Sequence, residues 1–386
     1  MEEWKEYKEY KISDIATMKN GKKRPNSAGD YPVFGGNGIM DYVNCYNAEN
    51  VIIVGRVGAY CGNVFYSKEK CWISDNAIAV FANEVVDIEY LYYKMTSIDL
   101  HHNHIGGAQP LMTQDIIGGF DVLIPNMTTQ KSAVSILNSL NDKIELNKRI
   151  NDNLEQQAQA LYKSWFVDFE PFKDGNFVES ELGMIPEGWK VVRLEEICDI
   201  VAGGTPSKTH PDYYCENGIA WITPKDLSIS NEKFTSHGET DITKLGYSKS
   251  SAKLMPEGSV LFSSRAPIGY ISIATNDICT NQGFKSLVPK SAGTCFLYCY
   301  LKEETTSIEN QATGSTFKEV SGSLMKNQLV IFPENSTIMQ KFEQSVIALF
   351  KFQKNNEAEN RNLMKYRDSL LPRLMSGELT INEMNN

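Results

Sequence analysis

The sequence lacks a long apolar run, a paired-cysteine motif and a positive net charge. No stretch approaches the roughly 18 apolar residues of a membrane-spanning helix, and the acidic start MEEWKEYKEYK is unlike the basic start of a secretory signal. We therefore expect a cytoplasmic protein that makes no membrane contact. The eight cysteines include no CxxC pair, which favours reduced core thiols over a disulfide framework or a cysteine metal site.

The net charge argues against one simple class of nucleic-acid binder. The chain has 386 residues, with 38 Lys+Arg against 48 Asp+Glu and a net charge of −10. A protein that grips nucleic acid through bulk positive charge is not expected from this balance. The length predicts two or three domains. The content of 41% hydrophobic and 22% charged residues is typical of a folded chain.

The catalytic motifs are weak. The cluster HHNH holds His101, His102 and His104, but this spacing has no helical i, i+4 face and no nearby Cys or carboxylate, so we favour polar or DNA-facing loop residues over a zinc site. FGGNG at residues 34–38 and DFEPF at residues 168–172 faintly resemble methyl-donor and amino-methyltransferase motifs. We interpret them as a turn and the end of a helix. No catalytic residue and no metal ligand is predicted.

The chain contains an internal repeat. The segment WKEYKEYKISDIATMKNGKKRP from Trp4 has a counterpart in WKVVRLEEICDIVAGGTPSK from Trp189. Residues 90–125 and 296–333 then show the same order of helix, glycine turn and strand. Runs of β-branched residues between these landmarks predict strands in both halves. A repeat of this size predicts two globular domains of one architecture.

The repeat pairs polar residues of the two halves. Aligning ENVIIVGRVGAYCGNV with EGSVLFSSRAPIGYIS places Arg56 against Arg265, and further on Asp75–Asn76 stand against Asn281–Gln282. Arginine reads guanine edges in DNA and Asn or Gln reads adenine, whereas Lys, Ser and Thr often position phosphates. The candidate phosphate contacts are Lys22, Lys23, Arg24, Ser207 and Lys208. The candidate edge readers are Arg56, Asn76, Gln109, Arg265, Asn281, Gln282, Ser315 and Thr316. The alternative for each is an ordinary loop residue with local hydrogen bonds.

Two long helices are predicted, over residues 128–166 and 337–375. Apolar positions recur in each with a spacing of seven residues, which is typical of a helix-pairing seam. The candidate helix-pairing residues are Leu137, Leu140, Ile144, Leu154, Leu161, Trp165, Phe342, Val346, Leu349, Leu363, Leu370 and Leu374. Amides interrupt the middle of each seam, at Asn147 and Asn151 and at Gln353, Asn356 and Asn360. Buried amides fix the register of paired helices. The alternative is two unrelated surface helices, for which matched polar interruptions would not be expected.

These features together predict an α+β fold. Two pseudo-repeated mixed α/β domains are joined by two long helices that pair as an antiparallel coiled coil. The predicted boundaries are residues 1–129 for the first globular domain, 130–175 for the first long helix and linker, 176–336 for the second globular domain, and 337–386 for the second long helix and the tail. An antiparallel pair is expected to carry the two globular domains at its opposite ends.

The order of these segments resembles the specificity (S) subunit of type I restriction-modification systems. The resemblance runs from Trp4 to about residue 381. It is carried by WKVVRLEEICDIVAGGTPSK from Trp189, VLFSSRAPIGYISIA from Val260, CTNQGFKSLVP from Cys279 and DSLLPRLMSGEL from Asp368. In the first half YPVFGGNGI from residue 31 and LYKSWFVDFEPF from residue 161 are similar to the same family.

The resemblance implies a non-catalytic subunit that binds double-stranded DNA. Each target-recognition domain would read one half of a bipartite site, and the long helices would set the spacing and dock other subunits. Two modification (M) subunits would methylate adenine with S-adenosylmethionine, and restriction (R) subunits would translocate and cut DNA with ATP and Mg²⁺. No cofactor is expected in this chain itself.

Two alternatives remain open from the sequence. A self-contained DNA methyltransferase or nuclease would need the FGGNG loop to bind S-adenosylmethionine. A protein-binding scaffold would use the paired helices to hold two domains with no role in DNA recognition. Each recognition segment carries a net charge of −5, over residues 1–129 and 176–336. Because phosphate contacts supply most non-specific affinity, we expect the isolated chain to bind DNA poorly and the M subunits to supply much of the positive charge.

Overall fold

The computed structural model describes residues 7–107, 109–265, 267–314 and 318–379. The chain divides into two compact units. Unit 1 comprises Met1–Glu145 and Arg361–Asn386, and unit 2 comprises Leu146–Asn360. Within the described ranges, no helix combines the length and the apolar content needed to cross a membrane.

Unit 1 combines short strands with three short helices and part of each long helix. Its strands are β1 (Lys8–Lys11), β2 (Ala16–Asn20), β3 (Tyr31–Gly35), β4 (Gly38–Val43), β5 (Val51–Gly55), β6 (Val64–Ser67), β7 (Trp72–Ile73), β8 (Ala77–Ala82) and β9 (Asp121–Ile124). Its helices are α1 (Ile12–Ile15), α2 (Ile88–Thr96) and α3 (Gln114–Gly118), and the first long helix, α4 (Met127–Phe166), follows them.

The main sheet of unit 1 is antiparallel, in the order β2-β8-β5-β6. A second sheet has the order β4-β3-β7, with β3 and β7 parallel, and β1 pairs with β9. Strand β5 is buried along its whole length because both of its faces are covered. Ile52 and Val54 pack with α2 residues such as Leu91, while Val51 and Ile53 join a separate apolar cluster.

Unit 2 has the same kinds of element with several additions. Its strands are β10 (Phe177–Ser180), β11 (Gly183–Pro186), β12 (Trp189–Arg193), β13 (Cys198–Ala202), β14 (Tyr214–Cys215), β15 (Trp221–Ile222), β16 (Phe234–Thr235), β17 (Asp241–Ile242), β18 (Val260–Ser264), β19 (Ile268–Ala274), β20 (Cys279–Thr280), β21 (Lys285–Pro289) and β22 (Leu329–Pro333). Its helices are α5 (Leu194–Ile197), α6 (Pro224–Ser230), α7 (Lys244–Ser248), α8 (Thr294–Gln311) and α9 (Gly322–Lys326), and the second long helix is α10 (Ser336–Ser376).

The topology of unit 2 repeats that of unit 1. Its main sheet has the order β13-β21-β18-β19-β16, in which the first four strands correspond to β2-β8-β5-β6. The β12-β22 pair corresponds to β1-β9, and the parallel pair β15-β20 corresponds to β3-β7. Strand β16 is an addition that extends the sheet in parallel with β19. The predicted α+β fold with an internal repeat is therefore confirmed.

The long helices match the predicted ranges closely. All of the twelve seam residues predicted from the sequence are buried or half-buried. In unit 2, Asn147 bonds to Asn360 while Asn151 bonds to Asn356. Position numbers rise along one helix as they fall along the other, so this stretch pairs antiparallel, as predicted. In unit 1, Leu137 and Leu374 share one apolar cluster.

The polar middle of the seam is a buried amide network in unit 2. The Nδ2 of Asn147 donates to Glu359 Oε2 at 2.7 Å and to Asn360 Oδ1 at 2.9 Å. Asn147 is only 1% exposed and Asn360 only 6%. Gln353 Nε2 donates to the Asn151 carbonyl oxygen at 2.9 Å. Because these polar groups are satisfied by facing partners, they favour one register of the pair.

The first turn of α8 is capped by a side chain from α10. The carboxylate of Glu343 accepts hydrogen bonds from the backbone N–H of Phe296 at 2.8 Å and of Cys295 at 3.1 Å. The residue before α8 is Gly293, whose position offers no side-chain cap. Burial raises the pKa of the Glu343 carboxyl. In unit 1 the first turn of α2 is capped instead by the side chain of its own N-cap residue, Asp87, whose backbone N–H donates to Gln130 Oε1 of α4 at 2.7 Å.

Candidate nucleic-acid interface

A cavity in unit 2 brings together four of the polar residues predicted from the sequence. It has a volume of about 780 Å³ and is lined in part by Lys208, Arg265, Asn281 and Gln282. These residues come from the β13–β14 loop, the end of β18 and the turn after β20. Ser207 is exposed in the same β13–β14 loop and bonds to Thr209 at 2.8 Å. Three chain segments that are distant in sequence therefore converge on one concave surface.

Local hydrogen bonds hold the two amide side chains of this cavity. The backbone N–H of Asn281 donates to the Ile222 carbonyl oxygen at 2.9 Å. The side-chain Oδ1 of Asn281 accepts from the Gly283 N–H at 2.8 Å. Gln282 Oε1 accepts a short hydrogen bond from Thr205 Oγ1. Within the described ranges neither side-chain amino group donates to the protein. Both amino groups are thus available to donate to acceptors on a bound molecule.

The wall of the cavity combines a buried aromatic ring with charged groups of both signs. Trp221 is 6% exposed, and its Nε1 donates to the Gly204 carbonyl oxygen at 2.9 Å. Lys225 and Glu239 form an ion pair at 2.7 Å on the rim. Sequence reasoning missed Trp221 and Lys225. The segment AWITPKD, in which an apolar pair precedes a Thr-Pro helix start, is the signal that places both residues beside a strand end.

Arg265 stands beside a carboxylate at the edge of the cavity. Its Nη1 lies 3.8 Å from Glu319 Oε2, and its side chain is 37% exposed. Lys285 Nζ lies 3.4 Å from the other oxygen of Glu319. Glu319 therefore orients the guanidinium loosely and leaves donors on it for a ligand. Ser315 and Thr316, the remaining predicted edge readers of this half, lie outside the described residues.

The basic loop of unit 1 lies between β2 and β3. The Lys22 N–H donates to the Ile73 carbonyl oxygen at 3.0 Å, and Trp72 Nε1 donates to the Lys22 carbonyl oxygen at 3.1 Å. The side chains of Lys22 and Lys23 are exposed. Arg24 instead forms an ion pair with Asp41 of β4, so its charge is partly neutralised within the protein.

The three edge readers predicted in unit 1 are distant in sequence, but backbone hydrogen bonds bring their chain segments together. The Arg56 N–H donates to the Asn76 carbonyl oxygen at 2.9 Å, and the Arg56 carbonyl oxygen accepts from the Met112 N–H at 2.8 Å. Gln109 is exposed in the loop that ends at the Ile105–Leu111 bridge. The structure therefore places Arg56, Asn76 and Gln109 around one strand end.

The sequence alignment of the two halves was wrong by one residue at each polar position. The Ser264 N–H donates to the Gly283 carbonyl oxygen and the Ser264 carbonyl oxygen accepts from the Val320 N–H, which are the bonds that Arg56 makes in unit 1. Arg56 therefore corresponds to Ser264, and Val57 corresponds to Arg265, because both bridge the returning loop.

The turn after the short parallel strand shows the same displacement. The Ser74 N–H donates to the Phe34 carbonyl oxygen, as the Asn281 N–H does to Ile222. Ser74 and Asp75 therefore occupy the positions of Asn281 and Gln282. The alignment matched similar side chains, whereas the hydrogen bonds match backbone positions. The two units consequently present different side chains from equivalent positions.

The weak motifs have structural roles. FGGNG forms the turn of the β3–β4 hairpin, with Gly38 at φ +86°, as interpreted from the sequence. DFEPF lies just beyond the end of α4 at Phe166, rather than within the helix end, and its Phe169 and Phe172 pack on Trp189. Among the histidines, His101 Nδ1 lies 2.7 Å from the Cys61 carbonyl oxygen. His102 pairs with Asp99, so the expectation that no carboxylate lies near this cluster was wrong. The described residues contain no cluster of three or more His, Cys, Asp or Glu that could hold a metal.

Comparison with known proteins identifies the family to which the chain is similar. A family model described as the type I restriction modification DNA specificity domain matches residues 2–156 and 186–360. The chain is 28% identical over 362 residues to the specificity subunit of the type I restriction enzyme HindI from Haemophilus influenzae, covering 78% of this chain and 76% of that subunit. It is 38% identical over 160 residues to the MjaIX specificity subunit from Methanocaldococcus jannaschii, covering 41% of this chain and 37% of that subunit.

A solved structure supports the same fold. The crystal structure of the S subunit of a type I restriction-modification system from M. genitalium aligns with a TM-score of 0.64, covering 96% of both chains. The sequence identity to that subunit is 15%, so this similarity concerns the fold alone.

Proposed function

The chain belongs to the family of type I restriction-modification DNA specificity domains, and from this membership we propose that it is the sequence-recognition subunit of a type I restriction-modification complex. Each unit reads one half of a bipartite site in double-stranded DNA, and the long helices set the spacing between the halves. The observation that carries this proposal is the convergence of Arg265, Asn281 and Gln282 on one cavity of unit 2.

The chemistry of this cavity suits base edges better than bulk electrostatic binding. A guanidinium donates to guanine O6 and N7, and side-chain amides bond to adenine N6 and N7. The amino groups of Asn281 and Gln282 are available for such bonds, and Arg265 is held only loosely by Glu319 at 3.8 Å. Lys208 lies on the same surface and fits the role of a phosphate contact.

In this proposal, other subunits of the complex carry out DNA methylation and DNA cleavage. Two methyltransferase subunits dock on the long helices and methylate adenine with S-adenosylmethionine, and restriction subunits use ATP and Mg²⁺. The chain itself contributes recognition and no catalytic group. Each recognition segment carries a net charge of −5, so the methyltransferase subunits also provide much of the positive surface around the DNA. The complex acts in the cytoplasm, where the host DNA is.

The test is methylome sequencing of cells that carry the complete system with point variants of this chain. We expect Arg265→Ala to relax one position of one half-site and to cost about 1 to 3 kcal/mol of discrimination. Asn281→Ala should relax a different position of the same half-site. The matched control is Arg193→Ala, an exposed arginine of unit 2 that pairs with Glu195 and Glu196 away from the cavity.

The outcomes separate recognition from general stability. A motif that keeps its sequence and only loses occupancy in Arg265→Ala and Asn281→Ala would contradict the assignment of these residues. Native mass spectrometry of the chain purified from its host tests the partners. Co-purification of two copies of a subunit that binds S-adenosylmethionine is the expected result, and a free chain under conditions of active methylation would refute the proposed assembly.

A further inference from the structure

Unit 2 contains a buried lysine that contacts both long helices. Lys233 precedes β16, and its side chain is 6% exposed. Its Nζ donates to Glu155 Oε2 of α4 at 2.7 Å and to Gln353 Oε1 of α10 at 2.8 Å. The ammonium also lies 3.2 Å from the ring centroid of Phe350. A single charge thus touches two helices through ionic, polar and cation–π contacts.

The backbone around this lysine is fixed on two sides. The N–H groups of Lys233 and Phe234 donate to the two carboxylate oxygens of Glu357 on α10, at 2.8 and 3.1 Å. The Lys233 carbonyl oxygen accepts from the Ile273 N–H at 2.7 Å and from Ser272 Oγ at 3.0 Å, both on β19. The segment therefore ties the edge of the recognition sheet to the helix pair.

The contact falls at the polar middle of the helix seam. Gln353 Nε2 donates to Glu155 Oε2 at 3.2 Å and to the Asn151 carbonyl oxygen at 2.9 Å, so Lys233 extends the amide network between the helices. A buried charge is costly unless its partners stand at defined places. Apolar packing tolerates small displacements, whereas the directional bonds of Lys233 to Glu155 Oε2 and Gln353 Oε1 favour one placement of the sheet on the helices.

The described part of unit 1 has no strand comparable to β16. Within its described residues the main sheet stops at β6, and nothing takes the place that β16 occupies beside β19 in unit 2. The attachment through Lys233 is therefore a property of the second recognition domain and was not visible from the repeat.

We propose that Lys233 is a positioning residue that fixes the second recognition domain on the paired helices and thereby defines the spacer between the two half-sites. This inference rests on the proposed recognition function. Lys233 itself makes no base contact in this scheme. Its loss should change the allowed distance between the half-sites and leave their sequences unchanged.

The experiment uses the complete system and the double variant Lys233→Met with Glu155→Gln. Removing both charges avoids leaving one of them buried without its partner. We expect the half-site sequences to persist, while the methylated fraction at sites whose spacer differs by one base pair rises several-fold over wild type. Glu155→Gln alone, which keeps Lys233 and a neutral acceptor, should give a smaller change in the same direction.

The control is Ile278→Ala, because Ile278 is fully buried in a cluster of the recognition domain that includes no long-helix residue. This variant should lower the melting temperature and occupancy without altering the spacer. An unchanged spacer distribution in the double variant would overturn the proposal. If the double variant does not assemble, an unchanged spacer distribution in Glu155→Gln would overturn it instead. A wild-type system that methylates no bipartite motif would instead refute the recognition function itself.

Discussion

The cap that α10 provides for α8 gives a prediction that can be worked through quantitatively. Glu343→Ala removes the acceptor of two backbone N–H groups, on Cys295 and Phe296. Losing a helix cap costs about 0.5 to 2 kcal/mol, and leaving a donor unsatisfied in a partly buried site costs about 1 to 3 kcal/mol. These two figures describe the same loss, so they are not added, and we expect the free energy of unfolding of unit 2 to fall by about 1 to 3 kcal/mol.

Gly293 provides an independent route to the same loss. A Cβ at this position would overlap the Glu343 carboxylate, so Gly293→Ala should displace the carboxylate and remove much of the cap. The effects of Gly293→Ala and Glu343→Ala should then be strongly non-additive, because both remove one interaction. Glu343→Gln should cost less than Glu343→Ala, since one carbonyl oxygen remains to accept.

The pH dependence of the cap follows from the raised pKa of the Glu343 carboxyl. A carboxyl whose pKa is higher in the folded than in the unfolded state favours folding below the unfolded pKa of about 4.3. That contribution is lost as the pH rises through the folded pKa. The stability of wild type relative to Glu343→Gln should therefore decrease as the pH is raised from about 4 towards neutrality.

The assay is urea unfolding followed by circular dichroism, with peptide-level hydrogen exchange to locate the change at the start of α8. The control is Ser345→Ala, which alters an exposed side chain of α10 whose hydroxyl donates to the Lys341 carbonyl oxygen of the same helix. A Glu343→Ala cost below about 0.5 kcal/mol, or additive effects of the Gly293 and Glu343 variants, would refute the reasoning.

Three further predictions concern loops and thiols. Lys22→Ala with Lys23→Ala should weaken DNA binding by the complex evenly across sequences and reduce the salt slope by about 2; a changed methylation motif would contradict phosphate contact. Gly38→Ala should destabilise the β3–β4 hairpin by about 1 kcal/mol because of its φ of +86°, as measured by thermal unfolding, whereas an unchanged melting temperature would argue against strain. In the native chain, a thiol reagent should label Cys45 and Cys215 first, because the other cysteines are buried, and rapid labelling of all eight would be inconsistent with the fold.

The sequence was sufficient for the features that depend on periodicity. The seven-residue spacing located α4 and α10 to within about two residues of their observed ends. It also exposed the amides at Asn147 and Asn360, since polar residues in an apolar seam stand out. The domain boundaries and the DNA contacts stay predictions.

Features that depend on long-range backbone pairing were harder to foresee. The register of Arg56 and Arg265 was mistaken because identical residue types need not occupy equivalent backbone positions. Lys233 gave no local signal, because its burial arises from helices distant in sequence. A lysine before a two-residue strand is ordinarily solvent-exposed. Only the assembled unit shows its partners.

The one-residue displacement between the two halves has a practical consequence for engineering. To transfer the specificity of unit 2 to unit 1, side chains should be grafted at positions that make equivalent backbone hydrogen bonds. Positions matched by residue type in the sequence alignment should not be used. The donor residues Arg265 and Asn281 belong at Val57 and Ser74. A graft based on the sequence alignment would place each side chain one residue away from the equivalent backbone position, where it would point in a different direction.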